Sequence, residues 1–260
     1  MIGIVANDKN MNTNKKNKNN TSSIPNHVGD ISSEGKRKLY VVGTPIGNLE
    51  DMTFRALRIL HECDVILCED TRVTKKLLRH YEIDTPTLSY HAHSGLRKYE
   101  RIFELLDEEK TLALVSDAGT PAISDPGSHL IATVREKYGN DVSIESVPGP
   151  SAVTAALSIA GVHADSFTFL GFPPHKKGRE TFFKKLSDIS GTVVFYESPH
   201  RIQKALNSLH TLCTKKKHVT IVRELTKMYE EVVTGTPLEV LDFFEMYPEK
   251  MKGEFVVVVS

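Results

Sequence analysis

Five times between residues 38 and 160, a short apolar run leads through a turn into a segment of helical periodicity. The runs are 39–42, 65–68, 86–90, 112–115 and 142–147, and the periodic segments are 53–63, 72–81, 96–109, 127–138 and 151–160. This alternation constrains the fold more than any other feature. Runs this short cannot bury themselves alone, and an intervening helix returns each strand in parallel. The pattern argues for an α/β fold with a mostly parallel sheet covered on both faces.

From about Asp165 the order changes. Strands are expected at 167–172, 192–198, 218–224, 230–235 and 254–259, with helices at 178–190, 201–211 and 237–246. Strand-helix and strand-strand neighbours are mixed here, so a mixed sheet is expected. The reading is two α/β domains, 38–162 and 163–260, joined near residues 161–166. Residues 1–37 stand apart. The stretch 9–20, KNMNTNKKNKNN, has no periodic apolar face and is expected to be a disordered tail.

Formal net charge is zero, with 33 basic and 33 acidic residues. Residues 1–38 hold seven Lys/Arg against three Asp/Glu, leaving 26 basic against 30 acidic in the rest. A protein basic over its whole surface is excluded, and any nucleic-acid contact must use a local patch. No apolar run approaches the roughly 20 residues of a membrane-spanning helix. Cys63, Cys68 and Cys213 match no zinc spacing and read as buried, reduced thiols of a cytoplasmic protein.

In open α/β sheets, ligands bind outside the carboxyl ends of strands, so the turns there carry the chemistry. GTPIGNLED (43–51) has two glycines and a proline, which let backbone approach a ligand or a neighbouring strand. SDAGTPAISDPG (116–127) is rich in small residues and suits presentation of backbone N–H and C=O groups to a polar ligand. PGPSA (148–152) is a rigid bend whose Ser151 is placed to cap the next helix. YESPHR (196–201) and RELTK (223–227) put charges at strand ends of the second block, where they can face the first block's turns across a cleft.

Taken in order, TPIGNLEDMT, EDTRVT (69–74), SDAGTPAISDPG, PGPSA, LGFPP (170–174), FYESPHR and RELTK resemble the rRNA-methylating branch of the tetrapyrrole methylase superfamily. The resemblance covers residues 38–260. It implies S-adenosylmethionine bound between two α/β domains, a homodimer, and methylation of a ribose 2′-oxygen on a cytidine in the decoding region of 16S rRNA. Carried onto this sequence, it implies cofactor contacts from Pro45, Ser116, Asp117, Ala118, Gly119, Thr120, Pro148, Gly149, Ser151, Tyr196 and Gly253. Typical members continue into a further C-terminal segment, whereas this sequence stops at Ser260. Two other readings stay open: a superfamily member acting on a tetrapyrrole or other small molecule, and a noncatalytic RNA-binding module.

Methyl transfer from a sulfonium is a direct displacement that needs no metal. A positioned base adds roughly 10²–10⁴-fold. Candidates are Asp70, Arg72, His91, His93, Glu197, His200, Arg201, Glu224 and Lys227, with Glu197 and Lys227 first and Asp70 next. Lys227 qualifies if burial lowers its pKa. His91 and His93 suit an RNA or dimer contact better than a metal. Three basic groups are candidates for RNA: Arg72, Lys75, Lys76 and Arg79 at helical spacing; Lys176, Lys177, Arg179, Lys184 and Lys185 beside LGFPP, with Arg201 nearby; and Lys215–Lys217. The second is preferred.

Overall fold

The computed structural model describes residues 37–90, 96–213 and 217–260. The expected tail, but for Arg37, lies outside the described residues, as do His91, His93, Lys215 and Lys216.

The first sheet holds β1 (Arg37–Val42), β2 (Val65–Cys68), β3 (Thr87–Ser89), β4 (Leu112–Leu114) and β5 (Val142–Val147). Their order is β3-β2-β4-β1-β5, and every pairing is parallel. The helices are α1 (Phe54–Glu62), α2 (Thr71–His80), α3 (Leu96–Asp107), α4 (Gly127–Tyr138) and α5 (Ala152–Ile159). Side chains alternate across a strand, and β1 shows the consequence. Tyr40 and Val42 pack with Ala56, Ile59 and Leu60 of α1 and Leu78 of α2. Leu39 packs instead with Ile102 and Leu106 of α3 and Leu130 and Val134 of α4. Two helices therefore cover each face, as the alternation predicts.

The second sheet holds β6 (Phe167–Phe169), β7 (Thr192–Glu197), β8 (Val219–Arg223), β9 (Glu231–Gly235) and β10 (Phe255–Val259), in the order β6-β7-β10-β8-β9. Only β6 and β7 pair in parallel. The strand expected over 167–172 is shorter because Gly171, at φ 64°, turns the chain, while its carbonyl still accepts the Tyr196 N–H at 2.9 Å. Helices α6 (Arg179–Asp188), α7 (Ile202–Leu212) and α8 (Pro237–Met246) cover one face through Phe183, Leu206, Val240 and Phe244. The other face is covered by α5. Its Val153, Ala156 and Leu157 pack on Val194, Val222, Val256 and Val258. Burying a side chain such as Leu157 contributes about 1.5–3 kcal/mol. The helix that leaves the last strand of the first sheet thus docks on the second, and all described residues fall in one compact unit. No helix among the described residues is long and apolar enough to cross a membrane.

Three turns at the carboxyl edge of the first sheet are fastened to one another. β1 and β5 are neighbours, and the Gly43 N–H donates to the Val147 carbonyl at 3.0 Å. A Cβ on Gly43 would stand 2.8 Å from the Gly149 Cα, and one on Gly149 would stand 2.9 Å from the Gly43 carbonyl carbon. These two glycines are explained by backbone meeting backbone. Thr44 and Gly119 exchange N–H to carbonyl bonds of 3.0 and 3.1 Å, and the Thr120 hydroxyl donates to the Pro150 carbonyl at 3.0 Å. Substituting Gly149→Ala must spread two strand ends that have no flexible side chain to yield. We expect a loss of about 1–3 kcal/mol in urea unfolding. Unchanged stability would show that the turns slide apart freely.

Candidate active site

A cavity of about 670 Å³ opens between these turns and the second sheet. From the first sheet come Ile46, Glu69, residues 116–120, Ile123, Ser124 and Asp125, with Ser151 and Ala152 from the start of α5. From the second come Phe172, Tyr196, Glu197, Val222, Leu225, Glu254 and Val256. One wall is polar backbone with three carboxylates, and the other is mostly aromatic and aliphatic but includes Glu197 and Glu254. Phe172 and Tyr196 have ring centroids 5.3 Å apart. Burial pushes the Tyr196 phenol up to about 12.

Ser116, Asp117, Ala118, Gly119, Thr120, Ser151 and Tyr196 all line this cavity. Ser151 stands at the N-cap of α5 but its side chain makes no capping bond, so the expected cap is absent. Pro45 lies instead in a second cavity of about 240 Å³, between the first turn and α2, which meets the larger one at Ser116 and Asp117. Pro148 and Gly149 line neither cavity. Gly149 serves the turn-to-turn contact. Gly253 lines neither as well; at φ 98° it leaves room for Glu224, whose carboxylate would lie 2.4 Å from an added Cβ.

The expected bases are held by partners. The Glu197 side chain is fully buried, 2.8 Å from Arg179 Nη2 and 3.1 Å from Arg201 Nε, and it accepts the Ser198 N–H at 2.9 Å. The two guanidiniums also donate to the Pro174 and Pro173 carbonyls at 3.4 and 3.3 Å, which fixes the LGFPP turn. Arg179 and Arg201 are therefore mostly buried and engaged, which corrects their expected place in an exposed RNA patch. Lys176 and Lys177 of that patch are exposed. Lys217, the described member of the third basic run, is buried.

Lys227 lies 3.1 Å from Glu224 and 2.9 Å from Glu254. Partial burial opposes its charge, but these two carboxylates outweigh it and raise the ammonium above its ordinary pKa. The condition under which Lys227 would serve as a base, a lowered pKa, is thus not met, because two carboxylates outweigh its partial burial. Its side chain also abuts the first turn, 2.6 Å from where a Gly47 Cβ would be. Asp70 caps α2, accepting the Arg72 N–H at 2.8 Å, and pairs with the Arg72 guanidinium at 2.6 Å. Those hydrogen bonds from Arg72 lower its pKa to about 2. It lines neither cavity.

Glu69 was not among the expected bases, yet it lines the cavity. Burial first, then the nearby Asp125 and Asp117 carboxylates, push it up to about 7, against a hydrogen bond from the Asp117 N–H. A readable signal existed. In EDTRVT the aspartate is the preferred helix-capping residue, which leaves Glu69, just past the strand, to face the cleft.

Residues 38–241 match the family model of the tetrapyrrole (corrin/porphyrin) methylases. The chain is 44% identical over 228 residues to the ribosomal RNA small subunit methyltransferase I of Halalkalibacterium halodurans, spanning 87% of this chain and 77% of that protein. It is 43% identical over 223 residues to the protein of the same name from Thermotoga maritima, spanning 86% of this chain and 98% of that one. Among solved structures it resembles a cobalt precorrin-4 methyltransferase, with a TM-score of 0.63, 20% identity, and coverage of 85% of this chain and 94% of that one. A diphthine synthase gives a TM-score of 0.63 at 17% identity, over 85% of this chain and 88% of that one. These two likenesses speak to the fold. With the family model matching most of the chain and relatives above 40% identity over most of it, this protein belongs to the tetrapyrrole methylase family, in the group of the ribosomal RNA small subunit methyltransferases I.

Proposed function

We propose that this chain transfers the methyl group of S-adenosylmethionine to the ribose 2′-oxygen of a cytidine in the decoding region of 16S rRNA. The reading is carried by the 43–44% identity to relatives that bear the rRNA methyltransferase I name. The cavity supports it. Its volume of about 670 Å³ falls in the range of roughly 300–1,000 Å³ common for small-molecule sites. The backbone of Ser116, Asp117, Ala118, Gly119 and Thr120, with Ser151, offers donors and acceptors to an amino acid and a ribose. Tyr196, Phe172, Val222 and Val256 offer an apolar seat for a purine ring. Bound there, S-adenosylmethionine supplies a methyl group on a positively charged sulfur. Asp117, Asp125 and Glu69 favour a cation at that wall.

In this reading Glu197 positions rather than reacts. It neutralises Arg179 and Arg201, and these anchor Pro173 and Pro174, so the turn that carries Lys176 and Lys177 is held at the rim. Those two lysines meet the RNA phosphates, with the exposed Arg72 contributing from α2. The working unit is a homodimer in the cytoplasm, with 16S rRNA or the small ribosomal subunit as its partner.

The decisive experiment is mass mapping of 16S rRNA from cells lacking the gene. One ribose methyl should vanish and return with the intact gene; an unchanged map would defeat the proposal. Calorimetry should detect S-adenosylmethionine binding to the isolated protein. Reversing charge at the rim, Lys176→Glu with Lys177→Glu, should weaken RNA binding and leave the cofactor affinity as it was. Equal RNA affinity in that variant would remove the patch from the site. Glu197→Gln leaves two buried guanidiniums short of a counter-charge, and unfolding by urea should show a loss of about 3–5 kcal/mol. A Glu197→Gln protein of full stability that fails to methylate would return Glu197 to the role of base.

A further inference from the structure

Glu69 directly follows β2 at the sheet edge where the cavity lies, and it forms part of the cavity wall. The other carboxylates lining that wall are engaged. Glu197 is held by Arg179 and Arg201, and Glu254 by Lys227. Asp117 Oδ1 accepts the Asp70 N–H at 3.2 Å, and Asp125 Oδ1 accepts those of Ala122 and Gly127 at 2.9 and 2.7 Å. Several groups act on Glu69. Asp117 and Asp125 repel its charge from the loop after β4, and the Asp117 N–H partly offsets them. Tyr90, just after β3, is near enough to sense the Glu69 charge, and its buried hydroxyl has no hydrogen-bond partner among the described residues. On its own segment, Cys68 precedes it, and Asp70 follows, already neutralised by Arg72.

We infer that Glu69 is the catalytic base, accepting the proton of the ribose hydroxyl as that oxygen takes the methyl group. The inference rests on the proposed methyl transfer to a hydroxyl. The step balances. The oxygen–methyl bond forms and the sulfur–methyl bond breaks, its electron pair staying on sulfur. The hydroxyl proton passes to the Glu69 carboxylate. One positive and one negative charge disappear together, which a partly desolvated site favours over separating them. The acid so formed releases its proton to solvent before the next turnover. A carboxylate that titrates near 7 suits such a cycle, since the best base for this work has a pKa near the working pH.

Single-turnover methylation of 16S rRNA at saturating S-adenosylmethionine tests this. The wild-type rate should rise with pH through about 7 and then level, because the base must be ionised. Glu69→Gln should lower that rate roughly 10²–10⁴-fold, read at saturating cofactor. Asp125→Asn retains an acceptor for Ala122 and Gly127 but removes a neighbouring charge, and should move the rising limb to lower pH. A further readout needs no cofactor or RNA. A carboxyl group whose folded pKa is raised stabilises the fold when neutral, and that contribution fades as pH climbs from the ordinary carboxylate range through about 7. Glu69→Gln should therefore raise the melting temperature more at about pH 8 than at about pH 5. A Glu69→Gln enzyme of wild-type rate, or a rising limb unmoved by Asp125→Asn, would overturn the inference and leave the methyltransferase reading standing. A wild-type protein that transfers no methyl to 16S rRNA would overturn both.

Discussion

Two parallel strands that lie side by side deliver their turns to the same edge, and here those turns touch through Gly43 and Gly149 with no side chain between them. That contact sets how closely the ends of β1 and β5 approach. Thr44 then bridges to Gly119, and Thr120 to the Pro150 carbonyl, so three loops from distant parts of the chain become one rigid ledge. The cavity's polar wall is the outer side of this ledge. A backbone already committed on its inner side costs little further entropy when a ligand meets its outer side, and such preorganisation is where a loop-built site gains affinity. The second sheet reaches the ledge through α5, whose first residues follow the Gly149 turn and whose apolar face lies on β7, β8 and β10.

The electrostatics follow from that geometry. Several strand ends bring charged residues to one edge, where neighbouring elements neutralise most of them. Arg179 and Arg201 attend Glu197, Lys227 joins Glu224 and Glu254, and Arg72 joins Asp70. Each pairing also ties a loop in place: LGFPP through the arginines, the first turn against the Lys227 side chain, and α2 through its cap. Glu69 is left partly buried and facing carboxylates, so burial first, and then the same crowding that is neutralised elsewhere, raises its pKa.

Much of this was legible in the sequence. The short apolar runs fall on strands and the period-3.6 segments on helices to within a residue or two, save the run 167–172 that Gly171 cuts short, because the strands are covered on both faces and the helices bury one. The small-residue loop 116–127 reads as ligand-facing, since nothing in it builds a core, and residues 116–120 do line the cavity. What failed to read was partnership. Glu197 and Lys227 are strand-end charges and look reactive in one dimension. Their counter-charges stand at Arg179, a helix away, and at Glu254, 27 residues on. The family resemblance placed Pro148, Gly149 and the backbone near Gly253 at the cofactor, and Gly149 and Gly253 meet a neighbouring backbone and a carboxylate; a glycine required in that way looks no different in sequence from one required by a ligand.

The pair Glu69 and Asp70 shows how a local rule separates adjacent acids. Both lie in the short link between β2 and α2. Asp70 has the shorter side chain and lies one residue before α2, so it folds back to the Arg72 N–H and surrenders its charge to the Arg72 guanidinium. The backbone at Asp70 is extended, at φ −114° and ψ 108°, and adjacent residues of extended backbone point to opposite sides. Once Asp70 is turned toward the helix, Glu69 is turned toward the cavity, where Asp117 and Asp125 already stand. One residue of offset thus places the two carboxyl groups in opposite chemical states. The cap is held at about 2 and cannot take up a proton near neutrality, whereas its neighbour, at about 7, exchanges one readily.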